Sequence, residues 1–80
     1  MIATFDSHSG IVYIQVQAKK EIKKTVEFDS DTILELDGNN ELIAIEMIKP
    51  KAAILNRIAK KFGRWELGRV NLDYLRKSID

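Results

Sequence analysis

Cysteine is absent from the 80-residue sequence, and this absence excludes several kinds of chemistry. Without cysteine the chain can form no disulfide, thiolate metal site or cysteine nucleophile. A small domain without disulfides is typical of a reducing compartment, so we expect a cytoplasmic protein. The sequence also lacks a basic start followed by an apolar run, and it has no stretch of about eighteen apolar residues. We therefore expect neither export nor a membrane span.

Proline and glycine are scarce as well, with one proline and four glycines. This composition excludes collagen-like and low-complexity architectures, and 45% hydrophobic with 31% charged residues is typical of a soluble globular chain. We predict a single domain over residues 1–80. A domain this short often needs an additional stabilising device, and without disulfides we favour a homo-oligomer.

Charge is distributed unevenly along the chain, although the formal net charge is only +1. Residues 1–48 contain four lysines and nine carboxylates, giving −5, whereas residues 49–80 contain nine basic and three acidic residues, giving +6. The two halves should attract each other. The charges alone leave open whether they meet within one molecule, between copies, or on an outside partner.

The acidic half has the period of two that β-strands require. Apolar and polar residues alternate over residues 11–17 and again over 22–28, and residues 18–21 are a polar connection. We expect these two strands to form a hairpin. Residues 2–5 predict a further short strand.

A second hairpin is predicted over residues 32–37 and 40–47, with Gly38 starting a tight type II′ turn. The register puts the main apolar residues of both strands on a single side. The expected pairs are Asp37 with Asn40, Leu34 with Ile43, and Thr32 with Ile45. Together with Leu36 and Met47, these leucines and isoleucines form one cluster.

The basic half predicts helices. Apolar residues recur at the three- and four-residue spacing of an amphipathic helix, which we place at residues 51–62, with Pro50 as a first helical position and Gly63 as its end. A second, shorter helix should begin after Asn71 as its cap. Its apolar side comprises Leu72, Leu75 and Ile79. The predicted fold class is α+β: an antiparallel meander of four to five strands followed by one or two C-terminal helices.

The strand sequences resemble a known family. The succession of Val12-Tyr13-Ile14, Val26-Glu27-Phe28, Ile33-Leu34-Glu35-Leu36 and Leu42-Ile43-Ala44-Ile45-Glu46-Met47 resembles the prokaryotic family catalogued as domain of unknown function 2283, over about residues 3–49. The resemblance implies a small sheet domain, with some members encoded beside toxin-like proteins. It implies no catalytic residue, and the basic tail after Lys49 lies outside it.

Two groups of residues are candidates for catalysis or metal binding. Asp6, Glu35 and Glu46 are carboxylates that in a cluster bind a hard cation or share a proton. Glu35 and Glu46, however, alternate with apolar neighbours, as solvent-facing strand residues do. His8 lies between two serines, yet adjacent residues rarely adopt the geometry of a nucleophile and its base. We predict no enzyme activity, metal or cofactor.

The basic helix offers candidates for nucleic-acid binding, because lysine and arginine neutralise phosphates. These candidates are Arg57, Lys60, Lys61 and Arg64, together with Lys19, Lys20, Lys23 and Lys24 of the strand region. No stacking aromatic residue is interleaved with them in the sequence. A solvated helix face is the commoner interpretation of such a charge pattern.

The predicted sheet has two apolar sides, and one helix covers only one of them. The second side carries Ile11, Tyr13, Ile33, Leu42, Ala44 and Ile48. Either the C-terminal segment or a second copy should cover it, and exchange of that segment between subunits is a further alternative. The interface candidates are Ile11, Tyr13, Ile33, Leu42, Trp65, Leu67 and Tyr74.

We therefore expect a self-associating structural or protein-interaction module that is not an enzyme. The alternative is an antitoxin-like or regulatory protein that binds a partner protein or nucleic acid through its basic C-terminal helices.

Overall fold

The computed structural model describes residues 1–18 and 21–77. Five strands are followed by three helical segments. The elements are β1 (Ile2–Asp6), β2 (Ile11–Gln15), β3 (Lys24–Asp29), β4 (Thr32–Leu36), β5 (Leu42–Met47), α1 (Ala52–Phe62), a 3₁₀ helix (Trp65–Arg69) and α2 (Leu72–Lys77). All strand pairs are antiparallel. The predicted α+β class, a five-strand antiparallel sheet followed by a helix and a short helix, is confirmed.

The strands are ordered β1-β2-β5-β4-β3 across the sheet. The additional strand predicted near the start is present as β1, at one edge of the sheet beside β2. The predicted hairpin between β2 and β3 is wrong, because β2 pairs with β1 and β5 whereas β3 forms the opposite edge. The physical reason lies in burial: β5 is almost entirely buried and takes the central position, whereas most of β3 is exposed and suits an edge.

The turn between β4 and β5 also differs from the prediction. Gly38 does not have the positive φ that a type II′ turn requires; instead Asn40 adopts φ 61°. The Asp37 side chain organises the loop, since its Oδ1 accepts the N–H groups of Asn39 at 2.8 Å and Glu41 at 3.0 Å. The loop is therefore longer than predicted.

The longer loop shifts the β4–β5 register by two residues, so that Leu34 faces Ile45 and Thr32 faces Met47. A shift of two keeps each side chain on its predicted face. The register then slips by one residue between Glu35 and Leu36, where a bulge lies. Beyond the bulge, Leu42 belongs to the core cluster, whereas Ile43 is buried outside it. The bulge thus exchanges the predicted roles of these two residues.

The core lies between one face of the sheet and α1. Leu55, Ile58 and Ala59 of α1 pack on the strand residues Val12, Ile14, Leu34, Leu36, Ile45 and Met47. Gly63 ends the helix as predicted, with φ 66° and its N–H donated to the Ala59 carbonyl. The N-cap is Lys51, so Pro50 precedes the helix instead of occupying its first position.

The C-terminal segment packs on the same side of the sheet as α1. Leu67 of the 3₁₀ helix and Leu72 of α2 both join the core cluster. Asn71 caps α2 as predicted, because its Oδ1 accepts the Tyr74 N–H at 2.9 Å. Ile79, which was assigned to the apolar side of this helix, lies outside the described residues. Within the described ranges, no helix is both long and apolar enough to cross a membrane.

Candidate interaction surface

The face of the sheet turned away from α1 is built from side chains that alternate with the core residues of each strand. Two rows of directly opposed residues cross all five strands. The first row is Thr4, Tyr13, Glu46, Ile33 and Glu27. The second row is Ile2, Gln15, Ala44, Glu35 and Thr25. Together with Asp6 and Ile11 at the end of the β1–β2 pair, these residues are called the acidic sheet face.

The acidic sheet face has charge of one sign. Asp6, Glu27, Glu35 and Glu46 are its carboxylates, and none of its twelve strand positions holds a lysine or arginine. In the described part of the chain, the salt bridges join Lys23 to Glu21 and Arg64 to Glu66. The carboxylates of the face therefore have no cationic partner within 4.0 Å among the described residues.

Tyr13 lies at the centre of this surface, opposite Glu46, with a side chain that is 37% exposed. Partial burial raises the pKa of the Tyr13 phenol above its ordinary value of 10.0, and the charge and hydrogen bond of Glu35 raise it further. Glu46 contributes a smaller effect of the same sign. A protonated phenol among carboxylates is an acceptor surface for a cation, which can contact both the ring and the oxygens.

The carboxylate of Asp6 holds the turn between β1 and β2. Its Oδ1 accepts the His8 N–H at 2.9 Å, and Ser9 Oγ accepts the N–H of Ile11 at 3.2 Å. The hydrogen bond from the His8 N–H, followed by that from the Ser9 hydroxyl, lowers the pKa of Asp6. His8 and the serines beside it are exposed in this turn. Their polar groups thus stabilise a turn.

The carboxylates predicted from the sequence lie on one face, but Asp6 is at its end whereas Glu35 and Glu46 are in neighbouring central strands. Among residues 1–18 and 21–77, no group of three or more histidine, aspartate or glutamate side chains is close enough to hold a metal ion.

The basic residues of α1 lie on the other side of the molecule, because α1 covers the opposite face of the sheet. We call Arg57, Lys60, Lys61 and Arg64 the basic helix surface. The Arg57 guanidinium lies 5.2 Å from the centre of the Phe28 ring and the Lys61 ammonium lies 5.9 Å from it. Arg64 is 3.9 Å from a Glu66 oxygen. Within the described chain, Arg57, Lys60 and Lys61 have no carboxylate within 4.0 Å.

The contact with Phe28 was not predicted, because the ring belongs to β3 and is far from α1 in the sequence. Of the other cationic candidates, Lys23 pairs with Glu21 at 3.0 Å and Lys24 donates to Asn40 Oδ1 at 2.8 Å. Lys19 and Lys20 lie outside the described residues. Of the cationic candidates from the sequence, those of the basic helix surface are therefore the ones that the structure brings together on one helix and its end.

Comparison with known families identifies the family to which the sheet region belongs. Residues 3–49 match the family described as "Protein of unknown function (DUF2283)", and this match covers more than half of the chain. The chain belongs to the DUF2283 family. No curated protein and no solved structure gives a significant match. The DUF2283 region contains every residue of the acidic sheet face except Ile2, whereas the basic helix surface lies beyond it.

The interface candidates of this DUF2283 protein are separated by the fold. Tyr13, Ile11 and Ile33 lie on the acidic sheet face, the two isoleucines half-buried. Trp65 and Tyr74 belong to the helical segments and are 69% and 68% exposed.

Leu42 and Leu67 were predicted as interface candidates, and this prediction is wrong. Both residues are 1% exposed and belong to the core. The bulge turns Leu42 inward. The 3₁₀ helix directs Leu67 into the same core, and neither side chain remains available to a partner.

Proposed function

We propose that this DUF2283 protein is a non-enzymatic module that associates with copies of itself through the acidic sheet face. The observation that supports this proposal is that no described element packs on this face, although Ile11, Tyr13 and Ile33 lie on it. Apolar side chains on an uncovered sheet face lose the stabilisation that burial provides. A second copy removes them from water.

The position of the C-terminal segment supports a second copy as the cover. The 3₁₀ helix and α2 pack beside α1, with Leu67 and Leu72 in the core, and α2 contacts β1. This segment is therefore engaged on the opposite side of the sheet. Of the two covers considered from the sequence, the second copy is the one that this arrangement favours.

Sedimentation velocity over a concentration series tests the proposal with a matched pair of variants. Ile33→Lys puts a cation at the centre of the acidic sheet face, between Glu46 and Glu27. Ile22→Lys makes the same chemical change at an exposed residue outside the strands. We expect wild type and Ile22→Lys to sediment above monomer mass at micromolar concentration, and Ile33→Lys to sediment as a monomer. A wild type that remains monomeric throughout the series would contradict self-association.

A second candidate function is the binding of nucleic acid through the basic helix surface. The observation that favours it is the lack of a nearby carboxylate, among the described residues, for Arg57, Lys60 and Lys61. A gel-shift experiment with mixed DNA and RNA fragments distinguishes the two candidates. Nucleic-acid binding predicts a shift that weakens steeply as salt rises. Self-association alone predicts no shift at any salt concentration.

A further inference from the structure

The two sides of the molecule carry opposite charge, and apart from the pair of Arg64 with Glu66 neither is neutralised within the described chain. The acidic sheet face has four carboxylates and no cation, whereas α1 contains Arg57, Lys60 and Lys61 and no carboxylate. The sheet and its core lie between these surfaces. One copy therefore cannot bring its own α1 onto its own acidic sheet face without losing the core, but a second copy can offer its α1 there.

A symmetric pairing of two acidic sheet faces is electrostatically unfavourable. Two-fold symmetry brings the same patch of both copies together. It would place the carboxylates of Glu35 and Glu46 from both copies in one desolvated layer, with no lysine or arginine among the twelve strand positions of either face. Like charges across an interface disfavour association. The charge pattern therefore favours unlike surfaces in contact.

We infer that copies of this chain associate head to tail, with the acidic sheet face of one copy receiving the basic helix surface of the next. This inference rests on the self-association proposed above and specifies which surfaces meet. The ring of Tyr13 and the carboxylates of Glu35 and Glu46 accept the cations, and Ile11 and Ile33 supply apolar contact.

The outer side of α1 suits this role. Lys60 is exposed there, and its exposed neighbours Ala53 and Asn56 have short side chains. A carboxylate of another copy can therefore approach the Lys60 ammonium without obstruction. Contacts between unlike surfaces produce a ring when the rotation closes and an open chain when it does not. Each copy then keeps one surface for each of two neighbours.

Charge reversal on α1 tests the inference. Arg57→Glu/Lys60→Glu reverses two charges of the basic helix surface, and Lys49→Glu/Lys51→Glu makes the same net change at exposed positions before the helix. Lys51 is about 13 Å from Lys60 along the helix axis, from the rise of 1.5 Å per residue. Because Arg57 also contacts Phe28, Lys60→Glu alone serves as a second variant, and circular dichroism verifies that each variant is folded.

Association is measured by sedimentation velocity at about 0.1 M and about 1 M salt. Between these concentrations the Debye length falls from about 10 Å to about 3 Å, so attraction between exposed charges is largely screened at the higher one. We expect wild type and Lys49→Glu/Lys51→Glu to associate at low salt and to dissociate at high salt. Both α1 variants should associate less, and Arg57→Glu/Lys60→Glu should be monomeric. Glu35→Lys/Glu46→Lys should also be monomeric, and an equimolar mixture of the two monomeric variants should associate again.

The outcomes separate this inference from the proposed function. If wild type is monomeric under all conditions, self-association itself fails. If Arg57→Glu/Lys60→Glu associates as wild type does, self-association stands and the head-to-tail arrangement is overturned, because a symmetric pairing of sheet faces does not involve α1. If the Lys49→Glu/Lys51→Glu control loses association as fully as Arg57→Glu/Lys60→Glu does, the loss is due to net charge and the head-to-tail arrangement is also overturned.

Discussion

Tyr13 and Glu46 lie directly opposite each other on β2 and β5, and the charge of Glu35 on β4 also acts on the Tyr13 phenol. The negative charges of the two central carboxylates of the acidic sheet face thus act on a single phenol. Partial burial, and then the Glu35 charge, raise the Tyr13 pKa above 10.0. Both effects favour the protonated phenol in the folded state.

The first prediction concerns this pKa. In Tyr74→Phe, which leaves Tyr13 as the single tyrosine, ultraviolet absorbance should show a titration midpoint above pH 10. Glu35→Gln in the same background should lower the midpoint, because it removes the nearby negative charge. A raised folded-state pKa stabilises the fold at pH values below the unfolded pKa, and this stabilisation is lost as pH rises through the folded pKa. The free energy of unfolding should therefore fall above about pH 10. A midpoint at or below 10 would be inconsistent with the described environment.

The second prediction concerns Asp37, which is 6% exposed and accepts the N–H groups of Asn39 and Glu41. Asp37→Ala removes the acceptor and should lower the free energy of unfolding by about 2–3 kcal/mol, since hydrogen bonds to charged groups are the stronger class. Asp37→Asn keeps an acceptor oxygen and should lower it by only about 1 kcal/mol. Urea denaturation measures both values. Equal stability of Asp37→Ala and wild type would show that the side chain does not hold the loop.

The third prediction uses two glycines that both face open space. Gly63 has φ 66°, and a Cβ added there meets nothing within 4 Å. Gly63→Ala should therefore lower the free energy of unfolding by about 1–2 kcal/mol through backbone strain alone. Gly68 also has open space but no positive φ, so Gly68→Ala should be neutral or stabilising by up to about 1 kcal/mol. Thermal or urea denaturation of both variants checks the difference, and similar losses in the two would contradict it.

The fourth prediction tests the bulge in β5. Leu42→Ala should lower the free energy of unfolding by about 2–5 kcal/mol, because it leaves a cavity in the core. Ile48→Ala should change it by about 1 kcal/mol or less, since Ile48 is 45% exposed. Urea denaturation in dilute solution measures both. A small loss of unfolding free energy in Leu42→Ala would indicate that Leu42 lies on the outer face, as simple alternation predicts.

Local sequence patterns predicted the elements better than their pairing. The α1 helix was predicted almost to the residue, because its apolar spacing and Gly63 are signals within a few residues of each other. The neighbour of β2 was not, because alternation shows which side of a strand is apolar but not which strand lies beside it. β5 rather than β3 lies beside β2 because β5 is the more buried strand, and burial depends on the whole sheet.

The surfaces were predictable only in part. Tyr13 and Ile33 were correctly assigned to the second face of the sheet, since strict alternation holds through both of their strands. Leu42 was not, because a one-residue bulge reverses the alternation and has no signal in its own segment. The Asp37 and Asn40 pair was a usable signal for the longer loop, since both residue types favour such turns.

The strand order has a consequence for synthesis. The β1–β2 hairpin and the succession of β3, β4 and β5 are joined through β2 and β5, which are separated by nearly thirty residues of chain. During synthesis, the edge of β2 that pairs with β5 consequently has no native neighbour until β5 has been made.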